Sequence, residues 1–184
     1  MTVLVTGSSG FVGRAIMAHL AGHGAIGLDP VAAAKTHVID DLSDRSRLRA
    51  LIAREQITHI IHAGGVSGPM VLADICGVAG NAALSAFSQS LGCVSAKDGI
   101  RVIALSPGPV ETDRIVTLMK KKAKDRTGDE NNWQELRKPL PFQRCATPEE
   151  IGAAAAFLAS PLSGYTSGSV VTIDAGLSAR ASAF

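Results

Sequence analysis

The sequence predicts an α/β fold with a doubly wound parallel sheet of about six strands. Short apolar, β-rich runs alternate along the chain with segments of helical periodicity. Hydrophobic residues make up 46% of the 184 residues and aromatic residues only 4%, so small aliphatic side chains must build the core. The 19 glycines suit helices that pack closely on a sheet. No repeat or linker divides the chain, which predicts one domain over residues 1–184.

Each predicted strand is a short apolar run, and each predicted helix has apolar residues on one face. Strands are expected at residues 2–6, 25–29, 37–39, 58–62, 100–106 and 169–174. Helices are expected at residues 11–21, 43–55, 76–94 and 147–159, and in pieces over 112–138. Ser43 and Thr147 are the predicted N-caps of two of these helices. This alternation is typical of parallel sheets with helical crossovers.

The strongest motif is VTGSSGFVG at residues 5–13, between the first strand and the first helix. Gly7, Gly10 and Gly13 permit a tight turn, let backbone N–H groups approach a pyrophosphate, and let the helix pack close to the strand. Asp29 ends the second strand, where its carboxylate can accept hydrogen bonds from the ribose hydroxyls of adenosine. Because that carboxylate would repel a 2′-phosphate, the pattern predicts NAD as the cofactor and disfavours NADP.

Charge and composition argue against several other classes of protein. The net charge of +2 is too small to indicate a nucleic-acid partner, and we interpret the basic segment 114–138 as a solvated helical face. The three cysteines form no CxxC pair and are expected to be reduced and mostly buried. His59 and His62 should point to opposite faces of one strand, so no metal site is predicted. No apolar run is long enough to span a membrane and no signal peptide is expected, which favours the cytoplasm.

The glycine turn and the segments after it resemble the short-chain dehydrogenase/reductase family. Residues 1–73 are similar to the extended branch, the sugar epimerases and dehydratases, through TGSSGFVG, the Asp-Leu pair in VIDDLSD and HIIHAGGVSGP. The resemblance implies a Rossmann-like fold in which Asp41 and Leu42 contact the adenine, while Ala63 and Gly64 lie along the nicotinamide side. It also implies that the whole turn binds the cofactor, through Gly7, Ser8, Ser9, Gly10, Phe11, Val12 and Gly13.

Residues 75–180 resemble a different branch of the family, the shorter single-domain reductases. The matching segments are NAALSAFSQSLG, DGIRVIALSPGPVETD and TPEEIGAAAAFLASPLSGYTSGSVVTIDAGLS. By this resemblance Pro107, Gly108, Val110 and Thr112 border the nicotinamide. The two parts meet at a seam near residues 72–75, where a long segment of the family pattern is missing. We therefore expect one strand fewer than the family has, with the remaining six still closing into one sheet.

In the family, the missing segment carries the catalytic residues. A Tyr there acts as general acid and base, a Lys lowers the pKa of the Tyr and holds the ribose, and a Ser positions the substrate oxygen. The resemblance places Val78 and Asn81 at the Tyr and Lys positions, or Cys76 and Gly80 in a shorter register, and neither pair can do that chemistry. The only tyrosine, Tyr165, precedes the last strand, where the family often has a structural aromatic residue. We therefore assign no catalytic residue.

Three interpretations of function are open on these grounds. The first is an NAD(P)-binding oxidoreductase for a small carbonyl or alcohol, with catalysis impaired or absent unless an unrecognised arrangement performs it. The second is a non-catalytic NAD-binding protein. The third is a product of gene fusion or deletion without a selected function. In the first two, a nicotinamide dinucleotide is the expected partner, and the C-terminal helix and strand could support a homo-oligomer.

Overall fold

The computed structural model describes residues 1–63 and 70–179, with side chains over 1–63 and 77–179. The strands are β1 (Val3–Thr6), β2 (Ala25–Asp29), β3 (Val38–Ile39), β4 (His59–His62), β5 (Ile103–Pro107) and β6 (Ser169–Ile173). The α-helices are α1 (Phe11–His19), α2 (Arg45–Arg54), α3 (Met70–Ser95), α4 (Asp113–Thr127) and α5 (Pro148–Ala159). Short 3₁₀ helices are Ala96–Asp98, Glu130–Arg137, Pro141–Gln143 and Pro161–Ser163. The predicted α/β class with parallel strands is confirmed.

The strands form two hydrogen-bonded sheets, one with the order β3-β2-β1-β4 and one with the order β5-β6. In the first, Val3 of β1 lies opposite Ala25 of β2 and His59 of β4. In the second, Ile103 lies opposite Ser169. The expectation that six strands close into one sheet is wrong. Among the described residues, α3 and a short 3₁₀ helix are the elements between β4 and β5, and α3 packs on the second sheet.

Strand β1 is the centre of the core, because its alternate side chains serve both faces of the first sheet. Val3 and Val5 pack with Ile16 of α1 and with Leu20, the C-cap of that helix. Leu4 packs on the other face, in a cluster that α2 completes. All three β1 side chains are fully buried. This burial fixes the direction in which the carboxyl end of β1 points, and that end begins the glycine turn.

Helix α5 connects the two sheets. It packs along α1 and also contacts β4 and β5. At its carboxyl end, the guanidinium of Arg101 donates hydrogen bonds to the carbonyls of Leu158 at 2.9 Å and Ser163 at 2.8 Å. The carbonyls left unpaired at the end of a helix are thereby satisfied by a cation, which also suits the helix dipole. Arg101 precedes β5, so this contact fixes the second sheet to α5.

Two predicted helix starts are wrong and one is confirmed. Asp44, not Ser43, caps α2, because its carboxylate accepts hydrogen bonds from the N–H groups of two first-turn residues. Helix α3 begins at residue 70 instead of 76, since no proline interrupts residues 70–95. Thr147 caps α5 as predicted, in a reciprocal capping box with Glu150. The expectation of mostly buried cysteines fails at Cys93, which lies on the exposed side of α3.

Candidate functional site

The glycine turn joins the carboxyl end of β1 to the amino end of α1. Gly7 has φ +74°, a left-handed conformation that a side chain would strain. Its N–H donates to the carbonyl of Leu28 at 2.9 Å, which ties the turn to β2. Gly10 is the N-cap of α1 and offers no side-chain hydrogen bond to the first turn. The N–H groups at the start of α1 therefore point into the space above the glycine turn, where an anion could accept hydrogen bonds from them.

Gly13 brings α1 against the turn. A Cβ atom at Gly13 would overlap the carbonyl oxygen of Gly7 and lie 2.8 Å from its carbonyl carbon. Phe11 is exposed at the helix start, with the guanidinium of Arg14 4.9 Å from the centre of its ring. Val12 packs against the core beside β1. The predicted turn residues thus share one compact corner of the first sheet.

A second close contact, between the turn and β2, escaped the sequence analysis. Ser8 is fully buried, and its hydroxyl lies 3.3 Å from that of Thr36. A Cβ atom at Gly27 would lie 2.8 Å from the Ser8 hydroxyl oxygen and would overlap the Lys35 carbonyl. The available signal was a glycine inside a strand, which often marks a close backbone approach.

Asp29 lies at the end of β2 beside the turn, as predicted. Its two carboxylate oxygens accept hydrogen bonds from the N–H groups of Ser9 at 3.1 Å and Val31 at 2.9 Å. Burial alone would raise the pKa of Asp29, but these hydrogen bonds outweigh it and hold the pKa below its ordinary value. The carboxylate is therefore ionised at neutral pH, and each oxygen can accept a further hydrogen bond.

Asp41 and Leu42 follow β3, which is an edge strand of the first sheet. Asp41 is exposed, and the N–H of Ser43 donates to its carboxylate at 2.8 Å, which lowers the pKa of Asp41. Leu42 packs against the α2 face of the core. Ala63 extends the pairing of β4 with β1, because its N–H donates to the Thr6 carbonyl at 3.0 Å. Gly64 lies outside the described residues.

Pro107 is the last residue of β5, and Gly108, Val110 and Thr112 lie in the loop that follows it at the carboxyl end of the second sheet. The N–H of Gly108 donates to the Ile173 carbonyl at 2.9 Å. Pro107 is exposed, and Val110 forms a bridge with Ala146. The hydroxyl of Thr112 accepts from a backbone N–H at 3.3 Å and caps α4. None of the described contacts joins this loop to the glycine turn, so the predicted site is present in two parts.

Beside this loop is a cavity of about 280 Å³ that the sequence analysis missed. It lies at the carboxyl ends of β5 and β6, and its walls are mainly apolar. At its edge the Arg144 guanidinium makes two hydrogen bonds with the Glu150 carboxylate, at 2.7 and 2.8 Å. This partner lowers the pKa of Glu150 from 4.5 to about 2. Burial raises the pKa of the Cys145 thiol, which lines the same cavity and is therefore protonated at neutral pH.

Val78, Asn81 and Tyr165 are among the residues that the sequence analysis considered in place of the family's catalytic Tyr and Lys. Val78 and Asn81 are both exposed on α3. Tyr165 is fully exposed and precedes β6. The strands within each sheet are parallel, so Tyr165 belongs to the amino end of its sheet, opposite the end that carries the loop after β5. Across residues 1–63 and 77–179, acidic, histidine and cysteine side chains form no cluster that could hold a metal ion.

No helix in the described residues combines the length and apolar character needed to cross a membrane.

Two family sequence patterns match different parts of the chain. That of the NAD dependent epimerase/dehydratase family matches residues 3–75. That described as enoyl-(acyl carrier protein) reductase matches residues 50–178. The first match ends at residue 75, where the sequence analysis placed the seam between two branches. The predicted resemblance is confirmed on both sides of that seam.

Curated relatives match over part of their length. Galactitol 2-dehydrogenase (L-tagatose-forming) of Cereibacter sphaeroides is 34% identical over 131 residues, which are 70% of this chain and 48% of that protein. Oxidoreductase UcpA of Escherichia coli K12 is also 34% identical over 131 residues, which are 70% of this chain and 49% of that protein. The chain therefore spans about half the length of these relatives.

Solved structures share the fold at low sequence identity. The ligand-free aldohexose dehydrogenase of Thermoplasma acidophilum has a TM-score of 0.80 at 18% identity, covering 97% of this chain and 94% of that one. L-sorbose reductase of Gluconobacter frateurii, complexed with NADPH and L-sorbose, has a TM-score of 0.65 at 21% identity, covering 96% of each chain. These matches establish a common architecture.

Proposed function

Because the chain belongs to the short-chain dehydrogenase/reductase family, we propose that it binds a nicotinamide dinucleotide at the turn between β1 and α1. The observation that carries this proposal is the uncapped amino end of α1 above a left-handed Gly7. The pyrophosphate would accept hydrogen bonds from the N–H groups of the turn and of the first helical turn. Gly13 supports the site indirectly, because it lets the helix approach the turn.

NAD is the proposed cofactor, and NADP is the weaker alternative. Asp29 is ionised and nearly buried beside Ser9, with one lone pair on each oxygen left for ribose hydroxyls. A 2′-phosphate in the same place would bring like charges together in a poorly hydrated corner, which costs free energy. The family includes both preferences, as the NADPH complex of L-sorbose reductase illustrates. The charge of Asp29 is therefore the feature to test.

The remaining contacts of the cofactor are proposed by family resemblance. Asp41 and Leu42 would border the adenine, and Ala63 and Gly64 would lie along the nicotinamide side. The end of β5 and the loop after it would complete that side, through Pro107, Gly108, Val110 and Thr112. In this proposal, residues 1–184 form one cofactor-binding domain. The proposed location is the cytoplasm. The proposal requires the carboxyl ends of the two sheets to serve a single ligand, as parallel α/β sheets do.

As substrate we propose a small alcohol or carbonyl compound, with polyols and sugars as the first to test. The relatives named above act on such compounds by their names. Hydride transfer needs a proton donor beside the substrate oxygen. Val78 and Asn81 cannot provide one, so we propose that turnover is weak or absent. A non-catalytic NAD-binding protein is the second candidate, favoured by the same two residues.

Cofactor binding is tested by titration calorimetry with NAD and NADP. Gly10→Val and Asp29→Ala should each weaken NAD binding at least about tenfold, because one obstructs the pyrophosphate and the other removes the ribose acceptor. Asp29→Ala should also reduce the ratio of the affinity for NAD to the affinity for NADP. Asp98→Ala removes an exposed carboxylate that precedes β5 and should change neither affinity. A folded chain that binds neither nucleotide would contradict the proposal.

Turnover is tested separately, by the change in nicotinamide absorbance with panels of polyols, sugars and simple ketones. Product formation that Asp29→Ala reduces and Asp98→Ala leaves unchanged would support the oxidoreductase. Binding without product formation for any compound would support the non-catalytic alternative. The two results are distinguishable, because calorimetry reports the cofactor independently of chemistry.

We also propose a homo-oligomer, formed through α3 in place of the C-terminal helix and strand considered in the sequence analysis. Leu84, Phe87, Leu91 and Val94 repeat every three or four residues along this helix, and each is between 37% and 60% exposed. Residues 75–96 carry no charge, so two copies of the helix can approach without repulsion. Phe87→Glu should convert the oligomer to a monomer in light scattering, while Gln89→Glu on another side of the helix should not. A wild-type monomer at working concentration would contradict this proposal.

A further inference from the structure

The segment after β2 is tied to the glycine turn through two side-chain hydroxyls. The hydroxyl of Thr36 donates to the carbonyl of Val31 at 3.3 Å. It also lies 3.3 Å from the hydroxyl of Ser8, which is fully buried. A threonine hydroxyl has one hydrogen, and the Val31 carbonyl accepts it, so the hydrogen between the two hydroxyls belongs to Ser8. The hydrogen bonds are therefore donated from Ser8 to Thr36 and from Thr36 to Val31.

Val31 links these hydroxyls to Asp29. Its N–H donates to one carboxylate oxygen of Asp29 at 2.9 Å, while its carbonyl accepts from Thr36. The other carboxylate oxygen accepts from the N–H of Ser9, the residue after Ser8, at 3.1 Å. Both oxygens of Asp29 are thus connected to the glycine turn, one directly through Ser9 and one through Val31 and the two hydroxyls.

The backbone hydrogen bonds of Val31 set its position, because its side chain is 60% exposed and packing holds it only weakly. Without the Thr36 hydroxyl, the hydrogen bond that remains at Val31 among the described residues is the one to Asp29 itself. The N–H of Val31 would then move with its loop. The carboxylate oxygen that this N–H orients would lose its fixed position.

Ser8 acts from the side of the turn that faces β2. Its side chain is fully buried, and a Cβ atom at Gly27 in β2 would lie 2.8 Å from its hydroxyl oxygen. The hydroxyl therefore faces the protein interior and not the space above the turn. Among the described contacts, the Thr36 oxygen is the acceptor for its hydrogen. Removing that acceptor would leave a buried donor unsatisfied, which costs free energy.

We propose that Ser8 and Thr36 are positioning residues for the adenosine ribose of the cofactor, because together they hold Val31 and thereby orient the Asp29 carboxylate. The inference rests on the proposed nicotinamide dinucleotide site and adds the side chains that fix its selectivity. In that site, Asp29 accepts from the ribose hydroxyls and repels a 2′-phosphate. Both effects depend on where its oxygens lie. Loss of the hydroxyl pair should therefore weaken NAD binding more than NADP binding.

Thr36→Val tests the pair, since valine keeps the shape of threonine and removes the hydroxyl. Titration calorimetry should show NAD binding weakened at least about fivefold, and a lower ratio of NAD affinity to NADP affinity. Thr36→Ser keeps the hydroxyl and should bind NAD within about twofold of wild type. Thr117→Val is the matched control, because the Thr117 hydroxyl donates to the Asp113 carbonyl at 2.8 Å within α4. It should change neither affinity.

The double variant Ser8→Ala/Thr36→Val separates positioning from stability. Thr36→Val alone leaves the buried Ser8 hydroxyl without an acceptor and should lower the urea unfolding midpoint. In the double variant both partners are apolar, so the midpoint should return to near the wild-type value, while NAD binding stays at least about fivefold weaker. If NAD affinity returned together with the midpoint, the hydroxyls would have a structural role alone, which would overturn the proposal.

The wild-type titration separates this proposal from the cofactor site itself. A folded wild-type chain that binds neither nucleotide would overturn both. If the wild type binds NAD and Thr36→Val leaves the affinity or the ratio of NAD to NADP affinity unchanged, the positioning role alone is overturned. A loss in Thr36→Ser as large as that in Thr36→Val would also overturn it, because the hydroxyl is present in that variant.

Discussion

Replacing Gly13 with alanine tests the close contact between α1 and the glycine turn. The new methyl group would overlap the carbonyl oxygen of Gly7 and lie 2.8 Å from its carbonyl carbon. Carbon atoms in contact are normally about 3.5–4.0 Å apart, so the helix must move by roughly 1 Å. Both atoms in the way belong to the backbone, so no side-chain rotation can relieve the clash. The turn and the helix must therefore separate.

Two opposing effects set the size of the change. Overpacking of this kind costs about 1–3 kcal/mol, and a contact with rigid backbone belongs at the upper end of that range. Alanine inside a helix is favoured over glycine by about 1 kcal/mol. The expected net loss is about 2 kcal/mol in the free energy of unfolding. For a chain of this size, that corresponds to a fall in Tm of about 4–8 °C.

Gly80→Ala is the matched control, because Gly80 is also inside a helix. No atom lies within 4 Å of a Cβ atom built at Gly80. The remaining effect is the higher helix propensity of alanine, so this variant should be more stable than wild type by up to about 1 kcal/mol. Urea and thermal unfolding, followed by circular dichroism, measure both. If Gly13→Ala is as stable as wild type, α1 does not approach the turn as the structure has it, and the geometry argued for the pyrophosphate fails with it.

Three further predictions concern the C-terminal half. Arg101→Ala should lower the free energy of unfolding by about 2–3 kcal/mol, since several carbonyls at the end of α5 lose a charged donor. The control Arg49→Ala, which removes an exposed arginine of α2, should change the free energy of unfolding by less than about 0.5 kcal/mol. Equal effects of the two substitutions would contradict the role of Arg101. Because its pKa is lowered to about 2, Glu150 stabilises the fold fully above its ordinary pKa of 4.5 and loses this effect as the pH falls toward 2. Glu150→Gln should therefore make the urea unfolding midpoint depend less on pH between about pH 5 and about pH 2.5. The same dependence on pH as in the wild type would contradict this. Thr147→Ala should cost about 1 kcal/mol through loss of the N-cap, and Thr147→Ser, which keeps the hydroxyl, should recover most of that in the same urea assay.

The first half of the candidate site could be predicted from sequence because its residues are adjacent in the chain. The turn from Gly7 to Gly13 and the strand that ends at Asp29 are local patterns with a direct backbone reason. Gly27 escaped notice because its reason is a contact with Ser8, which is distant in sequence. The cavity beside Cys145 escaped notice for the same cause, since its walls come from several separated segments.

The closure of the sheet could not be predicted, because it depends on pairing between segments rather than on their own composition. Strands β4 and β5 each have the apolar pattern of a sheet strand and are each correctly placed to within a few residues. Nothing in either pattern specifies which neighbour fills its second edge. The expectation of one closed sheet assumed that consecutive strands would pair, which the α3 connection does not enforce.

The polar contacts described for the two sheets are each made within one half of the chain. In the first half, Asp29 is satisfied by two backbone donors of its own half, and the Thr6 hydroxyl lies 2.6 Å from a ring nitrogen of His62. In the second half, Arg101 and the Glu150 ion pair bond to their own half. Strands β4 and β5, between which the family pattern is interrupted, belong to different sheets. A change between β4 and β5 should therefore affect a reaction that needs both halves before it affects binding of the adenosine end of the cofactor.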